Sequence, residues 1–245
     1  MKDNFSTQSD QYARYRPTYP TELFAFLNDL IPIKEAAWDC GTGNGQVAFE
    51  LAKTFQNVFA TDISAAQIEN ATRANNIEYS VQPAESTNFA NNMFNLVTVA
   101  QAIHWFLFEA FYNEVKRTAK PGAFLCVIGY GTLTVNEQID RLINHFYENI
   151  IGPYWDAERK YIDEAYTTIP FPFKEIATPL FVNSLHWNLQ HLIGYLNTWS
   201  AVKHFIKQNG YNPVDALQNE LTLIWGGEAS RTVQFPLLLR IGQIT

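Results

Sequence analysis

The chain has 245 residues, of which 47% are hydrophobic and 17% are charged, and its formal net charge is −7. This composition excludes a disordered chain and is typical of a globular protein with a large buried core. The negative charge argues against a broad phosphate-binding surface, so we expect no nucleic-acid partner.

The two cysteines and the length of the apolar runs indicate in which cellular compartment the protein is expected. Cys40 lies in a glycine-rich loop and Cys126 in a strand-like run, so we expect buried thiols rather than a disulfide or a zinc site. Residues 1–11 are polar, and no apolar run approaches the roughly 20 residues that a membrane-spanning helix needs. We therefore expect a cytoplasmic protein with no membrane partner and no bound metal, and the oligomeric state stays open.

Up to residue 135, helical and strand-like patterns alternate. A first helix covers residues 23–30 and ends before Pro32. The predicted strands cover residues 33–39, 57–61, 77–81, 96–100 and 123–130, and the predicted helices cover residues 47–53, a segment that begins at Ser64, and residues 108–119. This alternation predicts an α/β fold with a doubly wound, mostly parallel sheet. The loops after the strands then meet at one edge, where such sheets bind ligands.

The pattern changes after residue 135. A helix over residues 138–151 leads into residues 152–176, whose many aromatic residues and prolines predict a cap over the sheet edge. A strand over 180–187, helices over 189–199 and 214–225, and a strand over 232–241 follow. We expect one domain with four parts: an amino-terminal cap segment (1–32), a cofactor-binding core (33–135), cap and acceptor-side insertions with the sixth strand (136–230), and the final strand (231–245).

The sequence DCGTGNG at residues 39–45 follows the first predicted strand. Its three alternating glycines leave the backbone bare, so a ligand can approach the amide groups at the start of the next helix. Asp39 would repel a phosphate and would suit an ammonium group. Asp62, at the end of the second strand, is placed to bind the hydroxyl groups of a ribose.

Two cofactors are compatible with this loop. The sequence GNGQVA at residues 43–48, with Asp62 about 20 residues further on, satisfies the dinucleotide fingerprint of an NAD site. The additional glycine at 41 and the acid at 39 fit the pattern DxGxGxG better, and a carboxylate beside a pyrophosphate is unfavourable.

Further segments resemble class I S-adenosylmethionine-dependent methyltransferases. These are Ala84-Glu85 and the sequence AQAIHWF at residues 100–106. The opening YARYRPTYP at 12–20, TWSA at 198–201 and FPL at 235–237 are similar to the small-molecule branch (methyltransferase type 11) that contains trans-aconitate methyltransferase. The resemblance covers nearly the whole chain. It implies a seven-stranded Rossmann-like sheet with helical cap insertions and S-adenosylmethionine as cofactor.

The resemblance also implies roles for individual residues. The residues expected to bind the cofactor are Tyr12, Arg16, Asp39, Gly41, Thr42, Gly43, Gly45, Asp62, Ile63, Ala84, Glu85, Ala100 and Gln101. Those expected to bind the methyl acceptor are His104, Trp105, Tyr130 and Trp155. The chain departs from the family pattern at Gln82-Pro83, where relatives often have Gly-Asp, and at Asn95, where an Asp is common.

His104 is the candidate catalytic residue, either as a group that orients the acceptor or as a general base. The other histidines lack metal-ligand spacing. Arg14, Arg16 and Arg159 are candidates to bind an acidic acceptor, although Arg159, between Glu158 and Lys160, is expected on a solvated face.

The expected function is S-adenosylmethionine-dependent methylation of a small organic acceptor, most readily O-methylation of a carboxylate or a hydroxyl. The alternatives are an NAD(P)-dependent oxidoreductase and a non-catalytic protein that binds S-adenosylmethionine.

Overall fold

The computed structural model describes residues 14–244. The helices are α1 (Thr21–Leu30), α2 (Gln46–Leu51), α3 (Ala65–Glu69), α4 (Phe108–Thr118), α5 (Glu137–His145), α6 (Lys160–Asp163), α7 (Leu189–Asn197), α8 (Ser200–Asn209) and α9 (Val214–Trp225). The strands are β1 (Ala36–Cys40), β2 (Asn57–Asp62), β3 (Ile77–Val81), β4 (Phe94–Ala100), β5 (Ala119–Tyr130), β6 (Lys174–Glu175), β7 (Val182–Trp187) and β8 (Arg231–Gln243). Short 3₁₀ turns cover Ile103–Trp105, Gly152–Tyr154 and Ala157–Arg159, and a π-helical turn covers Phe146–Ile150.

The strands form one sheet in the order β3-β2-β1-β4-β5-β8-β6, with β7 paired to β8 outside this path. The pairs among β1 to β5 are parallel, whereas β8 runs antiparallel to its neighbours. This confirms the doubly wound, mostly parallel α/β fold. The path holds seven strands, as expected in number, but its last strand, β6, was not predicted, and the strand predicted over 180–187 is β7, which lies off the path. Both strands pair with β8 because β8 is long: residues 231–236 pair with β7 and residues 242–243 pair with β6.

An apolar core lies on each face of the sheet. In the fully buried strand β1, Ala37 belongs to one core cluster, whereas Ala36, Trp38 and Cys40 belong to the other. Successive side chains of a strand point to opposite faces, and a parallel strand covered on both faces is apolar over most of its length. The buried thiols of Cys40 and Cys126 are free, as expected.

Some element boundaries differ from the sequence prediction. Strand β5 begins at Ala119, directly after α4, and includes the Pro-Gly pair that was expected to precede it; Gly122 has a φ of +79° there. The helix predicted over 189–199 ends at Asn197, where the hydroxyl of Thr198 donates to the carbonyl of Tyr195 at 2.6 Å. Helix α8 follows and was not predicted.

The cap after β5 consists of short helices rather than another sheet unit. Helix α5 ends at His145. The π-helical turn, two 3₁₀ turns and the one-turn helix α6 follow it in that order. Between residues 14 and 244 no helix is long and apolar enough to cross a membrane.

Candidate active site

A cleft opens at the edge of the sheet where β1, β2 and β4 end. Its empty volume is about 960 Å³, including the part open to solvent. The lining residues are Arg16, Pro17, Tyr19, Gly41, Thr42, Gly43, Asn44, Gln46, Val47, Asp62, Ile63, Ser64, Gln67, Gln82, Ala84, Ala100, Gln101, Ala102, Trp105, Phe106 and Tyr130. The topology therefore brings the loops after three parallel strands into one site, as expected for a doubly wound sheet.

The glycine loop between β1 and α2 is built on positive φ angles. Gly41, Gly43 and Gly45 have φ values of +67°, +56° and +80°, a region that other residues rarely adopt. A Cβ atom at Gly41 would lie 2.7 Å from the Cβ of Ala102, and one at Gly45 would lie 2.1 Å from the hydroxyl of Tyr79. At Gly43 the nearest atom would be 3.9 Å away, so this position faces the open cleft.

Asp39 lies behind the loop and is 1% exposed. Its carboxylate accepts hydrogen bonds from the hydroxyls of Thr42 (2.5 Å) and Thr98 (2.7 Å) and from the amide of Ala48 (3.1 Å). Burial raises the pKa of Asp39 to about 6, and the hydrogen bonds from Thr42, Thr98 and Ala48 oppose this shift. The geometry makes Asp39 a group that holds the loop against β4 and α2.

Asp62 ends β2 and connects the loop to the start of α3. Its two carboxylate oxygens accept hydrogen bonds from the amides of Gly43 and Ser64, each at 2.9 Å. The Ser64 hydroxyl in turn accepts from the amide of Gln67 and so caps α3, the helix that was predicted to begin at Ser64. Asp62 is half-buried and lines the cleft, so its carboxylate is at the surface that a ligand would meet.

A second cavity, here called the chamber, adjoins the cleft. Its empty volume is about 500 Å³, and it is lined by Arg16, Gln101, His104, Trp105, Trp155, Asp156, Arg159, Ile162, Trp199 and Ser200. Arg16, Gln101 and Trp105 line both cavities. Two ligands could therefore meet at these three residues.

Gln101 occupies the junction in a strained conformation. Its φ is +53°, which costs a non-glycine residue of the order of 1 kcal/mol and is typical of functional sites. Its side-chain amide donates to the carbonyl of Tyr130 at 3.1 Å, and its side-chain oxygen accepts from the hydroxyl of Tyr166 at 3.3 Å. The side chain is thus held from both ends.

Comparison with known proteins identifies this arrangement. Residues 38–127 match the family described as Methyltransferase domain. A Dictyostelium discoideum protein that bears the name of a methyltransferase is 34% identical over 223 residues, which cover 89% of this chain and 85% of the relative. A solved structure from Anaeromyxobacter dehalogenans, described as a type II methyltransferase, is 35% identical with a TM-score of 0.87, over 94% of this chain and 98% of its own. The chain belongs to the class I S-adenosylmethionine-dependent methyltransferases.

A methyltransferase structure from Bacillus halodurans, at 19% identity and a TM-score of 0.52, shares the fold of this methyltransferase over 90% of this chain and 97% of its own. The comparisons decide between the cofactors that the glycine loop left open. They favour S-adenosylmethionine over NAD(P) and an enzyme over a non-catalytic binding protein.

The cleft of the methyltransferase fits S-adenosylmethionine in its chemistry. The bare backbone at Gly43 admits a close ligand, and the carboxylate of Asp62 offers acceptors for ribose hydroxyls. Ile63 and Ala84 line the cleft as apolar residues suited to an adenine ring. These residues would hold the cofactor, whose methionine half we expect beside the glycine loop.

Most of the residues predicted to bind the cofactor line the cleft: Arg16, Gly41, Thr42, Gly43, Asp62, Ile63, Ala84, Ala100 and Gln101. Asp39, Gly45 and Glu85 are not among the lining residues; the carboxylate of Glu85 accepts from the amide of Leu107 at 3.0 Å. Tyr12 lies outside the described residues. The structure therefore brings most of these residues together, buries Asp39 and Gly45 behind the cleft and leaves the partly exposed Glu85 outside its lining.

The residues predicted to bind the acceptor divide between the two cavities. His104 and Trp155 line the chamber, Trp105 lines both cavities, and Tyr130 lines the cleft. Tyr130 accepts a hydrogen bond at its hydroxyl from Arg16 at 3.1 Å, and Arg16 also donates to the carbonyl of Thr198 at 3.3 Å.

His104 is 6% exposed and is neutral over the ordinary pH range. Burial, followed by the charges of Arg159 and Arg16, lowers its pKa to about 3. A group with so low a pKa is a weak general base near neutral pH. Of the two roles expected for His104, its environment favours the one that orients the acceptor.

Arg159 corrects a sequence prediction. It was expected on a solvated face, but its side chain is 17% exposed and lines the chamber. The guanidinium lies over the rings of Trp155 (4.6 Å) and Tyr147 (5.1 Å), and such stacking suits arginine. Its charged sequence neighbours suggested a solvated face, and the three-residue 3₁₀ turn that ends at Arg159 is too short to show a periodicity.

Sequence reasoning also missed other lining residues. In the chamber these are Asp156, Ile162, Trp199 and Ser200. Two of them, Trp199 and Ser200, lie in the TWSA segment that carried the family resemblance, which is the signal that could have found them.

Proposed function

We propose that this methyltransferase transfers a methyl group to an oxygen of a small organic acid that binds in the chamber. The observation that carries the proposal is the hydrogen bonding of the Arg159 guanidinium. Its Nε donates to the hydroxyl of Tyr147 (2.7 Å) and to Asp163 (3.1 Å). Within residues 14–244, its Nη1 and Nη2 atoms have no hydrogen-bond partner.

Two such nitrogens on a guanidinium match the two oxygens of a carboxylate. The stacking on Trp155 and Tyr147 fixes the plane of the group, so little conformational freedom is left to lose on binding. The chamber holds two cations, Arg16 and Arg159, and one carboxylate, Asp156. Its charges therefore favour an anionic ligand.

The weak basicity of His104 supports a carboxylate as the methylated group. A carboxylate is already ionised near neutral pH, so its oxygen needs no base before it attacks a methyl carbon. The cofactor, when bound, supplies an electrophilic methyl group on a sulfonium. The protein contributes alignment across the junction at Gln101 and Trp105, and alignment alone can supply several kcal/mol.

A hydroxyl is the second candidate for the methylated oxygen. It is favoured by Asp156, the one carboxylate that lines the chamber in the described part of the chain, because a hydroxyl needs a proton acceptor nearby. The aromatic walls formed by Trp105, Trp155 and Trp199 suit a planar or alkyl-bearing molecule in either case.

The test is transfer of a labelled methyl group from S-adenosylmethionine to a panel of small carboxylic acids and phenols. We expect methyl ester products, and we expect Arg159→Gln to raise KM for acids roughly tenfold or more, because a charge-assisted hydrogen bond is lost. Arg159→Lys keeps the positive charge but loses the pair of parallel N–H donors, so its affinity for acids should lie between those of Arg159→Gln and the wild type.

Arg141→Gln is the matched control, since Arg141 is an exposed arginine paired with Glu137 on α5. Binding of S-adenosylhomocysteine should be the same in all three variants, because Arg159 does not line the cleft. Methylation of phenols alone, or an unchanged KM for acids in Arg159→Gln, would contradict the proposal.

A further inference from the structure

Tyr166 is a buried residue behind the junction of the two cavities, and it lines neither of them. Its hydroxyl lies 3.3 Å from the side-chain oxygen of Gln101 and 3.3 Å from Nδ1 of His104. It therefore connects the strained residue at the junction with the histidine of the chamber.

The position of Tyr166 is fixed by its backbone conformation and by close packing of its ring. Ala165 and Tyr166 have consecutive positive φ values of +51° and +61°. Arg240, on β8, donates to the carbonyl of Tyr166 at 2.9 Å. A Cβ atom at Gly129 would lie 2.5 Å from the ring of Tyr166, so a glycine in β5 makes room for this ring. Strain of this kind persists where the surroundings fix it.

The direction of the hydrogen bonds follows from one fixed acceptor. The carbonyl of Tyr130 can only accept, so the Gln101 atom beside it is the side-chain nitrogen. The other amide atom is then the oxygen, which also can only accept. The Tyr166 hydroxyl therefore donates to Gln101, and its oxygen is left to accept from His104.

This chain of bonds determines the tautomer of His104. We propose that Tyr166 holds neutral His104 with its proton on Nδ1, so that Nε2 presents a bare lone pair to the chamber and selects acceptors that carry a hydroxyl or amine donor. The tautomer of a histidine is set by the partner of its other nitrogen. Within the described part of the chain Nε2 has no hydrogen-bond partner, and His104 lines the chamber.

The consequence deepens the proposed function and rests on it. The carboxylate of the acceptor binds Arg159, and a donor elsewhere on the same molecule binds Nε2 of His104. The ligand class is an organic acid with a hydroxyl or amine group. An acid without that group leaves the lone pair of Nε2 buried and unsatisfied. Tyr166 is then a positioning residue, since it acts through His104 and Gln101.

The direct test is the ¹⁵N NMR spectrum of the histidine side chains in the full-length protein, with His104→Gln used to assign the resonance. We expect a protonated Nδ1 and an unprotonated Nε2 at His104. In Tyr166→Phe the acceptor for Nδ1–H is lost, so we expect the proton to move to Nε2. Wild-type protein with its proton on Nε2, or an unchanged tautomer in Tyr166→Phe, would overturn the assignment.

Tyr112→Phe is the matched control. Tyr112 is equally buried in the same core cluster, and its hydroxyl donates to the carbonyl of Pro170 rather than to the site. It should lose similar stability but keep the tautomer. This comparison separates a positioning role from a structural one.

Ligand selectivity is measured with phenylalanine and 3-phenylpropionate, which differ by one ammonium group, on protein saturated with S-adenosylhomocysteine. We expect the amino acid to bind roughly tenfold more tightly in the wild type, and this preference to be lost in Tyr166→Phe, because Nε2–H and an ammonium group can only donate. Equal affinities in the wild type would overturn the selectivity. Failure of both acids to bind would instead refute the proposed function, while the tautomer result would stand.

Discussion

At the scale of single residues, burial moves the pKa values of two site residues in opposite senses. It raises the pKa of the Asp39 carboxyl to about 6 and lowers that of the His104 imidazole to about 3. In both cases the neutral form is favoured, because a low-dielectric interior penalises charge. Asp39 offsets part of its penalty with three hydrogen bonds, and His104 remains neutral.

The stability of the protein should therefore depend on His104 below pH 6.5. The unfolded chain binds a proton at this residue below its ordinary pKa of 6.5, whereas the folded chain does so only near 3. The free energy of unfolding is therefore not reduced by this residue above pH 6.5. It falls as the pH drops below 6.5, because the unfolded chain then binds a proton at His104 that the folded chain does not bind. Between pH 7 and pH 5 the free energy of unfolding of the wild type should fall by about 2 kcal/mol relative to His104→Gln.

Urea denaturation at the two pH values measures this difference. Asp39 contributes in the opposite sense, since its raised pKa stabilises the fold below pH 6, but it is present in both proteins and cancels. His145→Gln serves as the control at an exposed histidine. Parallel pH profiles for the wild type and His104→Gln would show that His104 is not held neutral.

At the scale of elements, the glycine loop between β1 and α2 combines two different requirements. Gly41 is confined by Ala102 on one side, whereas Gly43 faces the open cleft. Both have positive φ, but only the second position has room for a side chain. The loop motif therefore contains two glycines confined by packing, Gly41 and Gly45, and one, Gly43, left bare toward the ligand.

Alanine substitutions should separate these requirements. Gly43→Ala should cost about 1–2 kcal/mol of stability from its positive φ alone, and it should also weaken binding of S-adenosylhomocysteine because the new methyl group enters the cleft. Gly41→Ala should cost more stability, because its Cβ would lie 2.7 Å from that of Ala102.

Gly210→Ala is the control, since Gly210 ends α8 with a φ of +79° and has no atom within 4 Å of a new Cβ. It should show the strain without a binding defect. Thermal unfolding and isothermal titration of each variant provide the two readouts. Unchanged cofactor affinity in Gly43→Ala would show that the loop does not face the ligand.

At the scale of the whole molecule, local sequence patterns predict the sheet and the cleft. They do not predict which cap residues reach the site, because that depends on how the cap packs against the sheet. The alternation up to residue 135 predicts the sheet, and the loops at 41–45, 62 and 101 predict the cleft, because sheet topology places strand ends at one edge. Residues 152–176 lack a period, so neither Arg159 nor Tyr166 could be assigned to the site before their packing against the sheet was known.

The central claim is that S-adenosylmethionine binds in the cleft with Asp62 at its surface, and titration with S-adenosylhomocysteine tests it most directly. The wild type should bind, and Asp62→Ala should bind at least tenfold more weakly, since it removes a charged hydrogen-bond acceptor. Asp215→Ala, at an exposed aspartate in the first turn of α9, should bind like the wild type. Equal affinity of Asp62→Ala and the wild type would contradict the account.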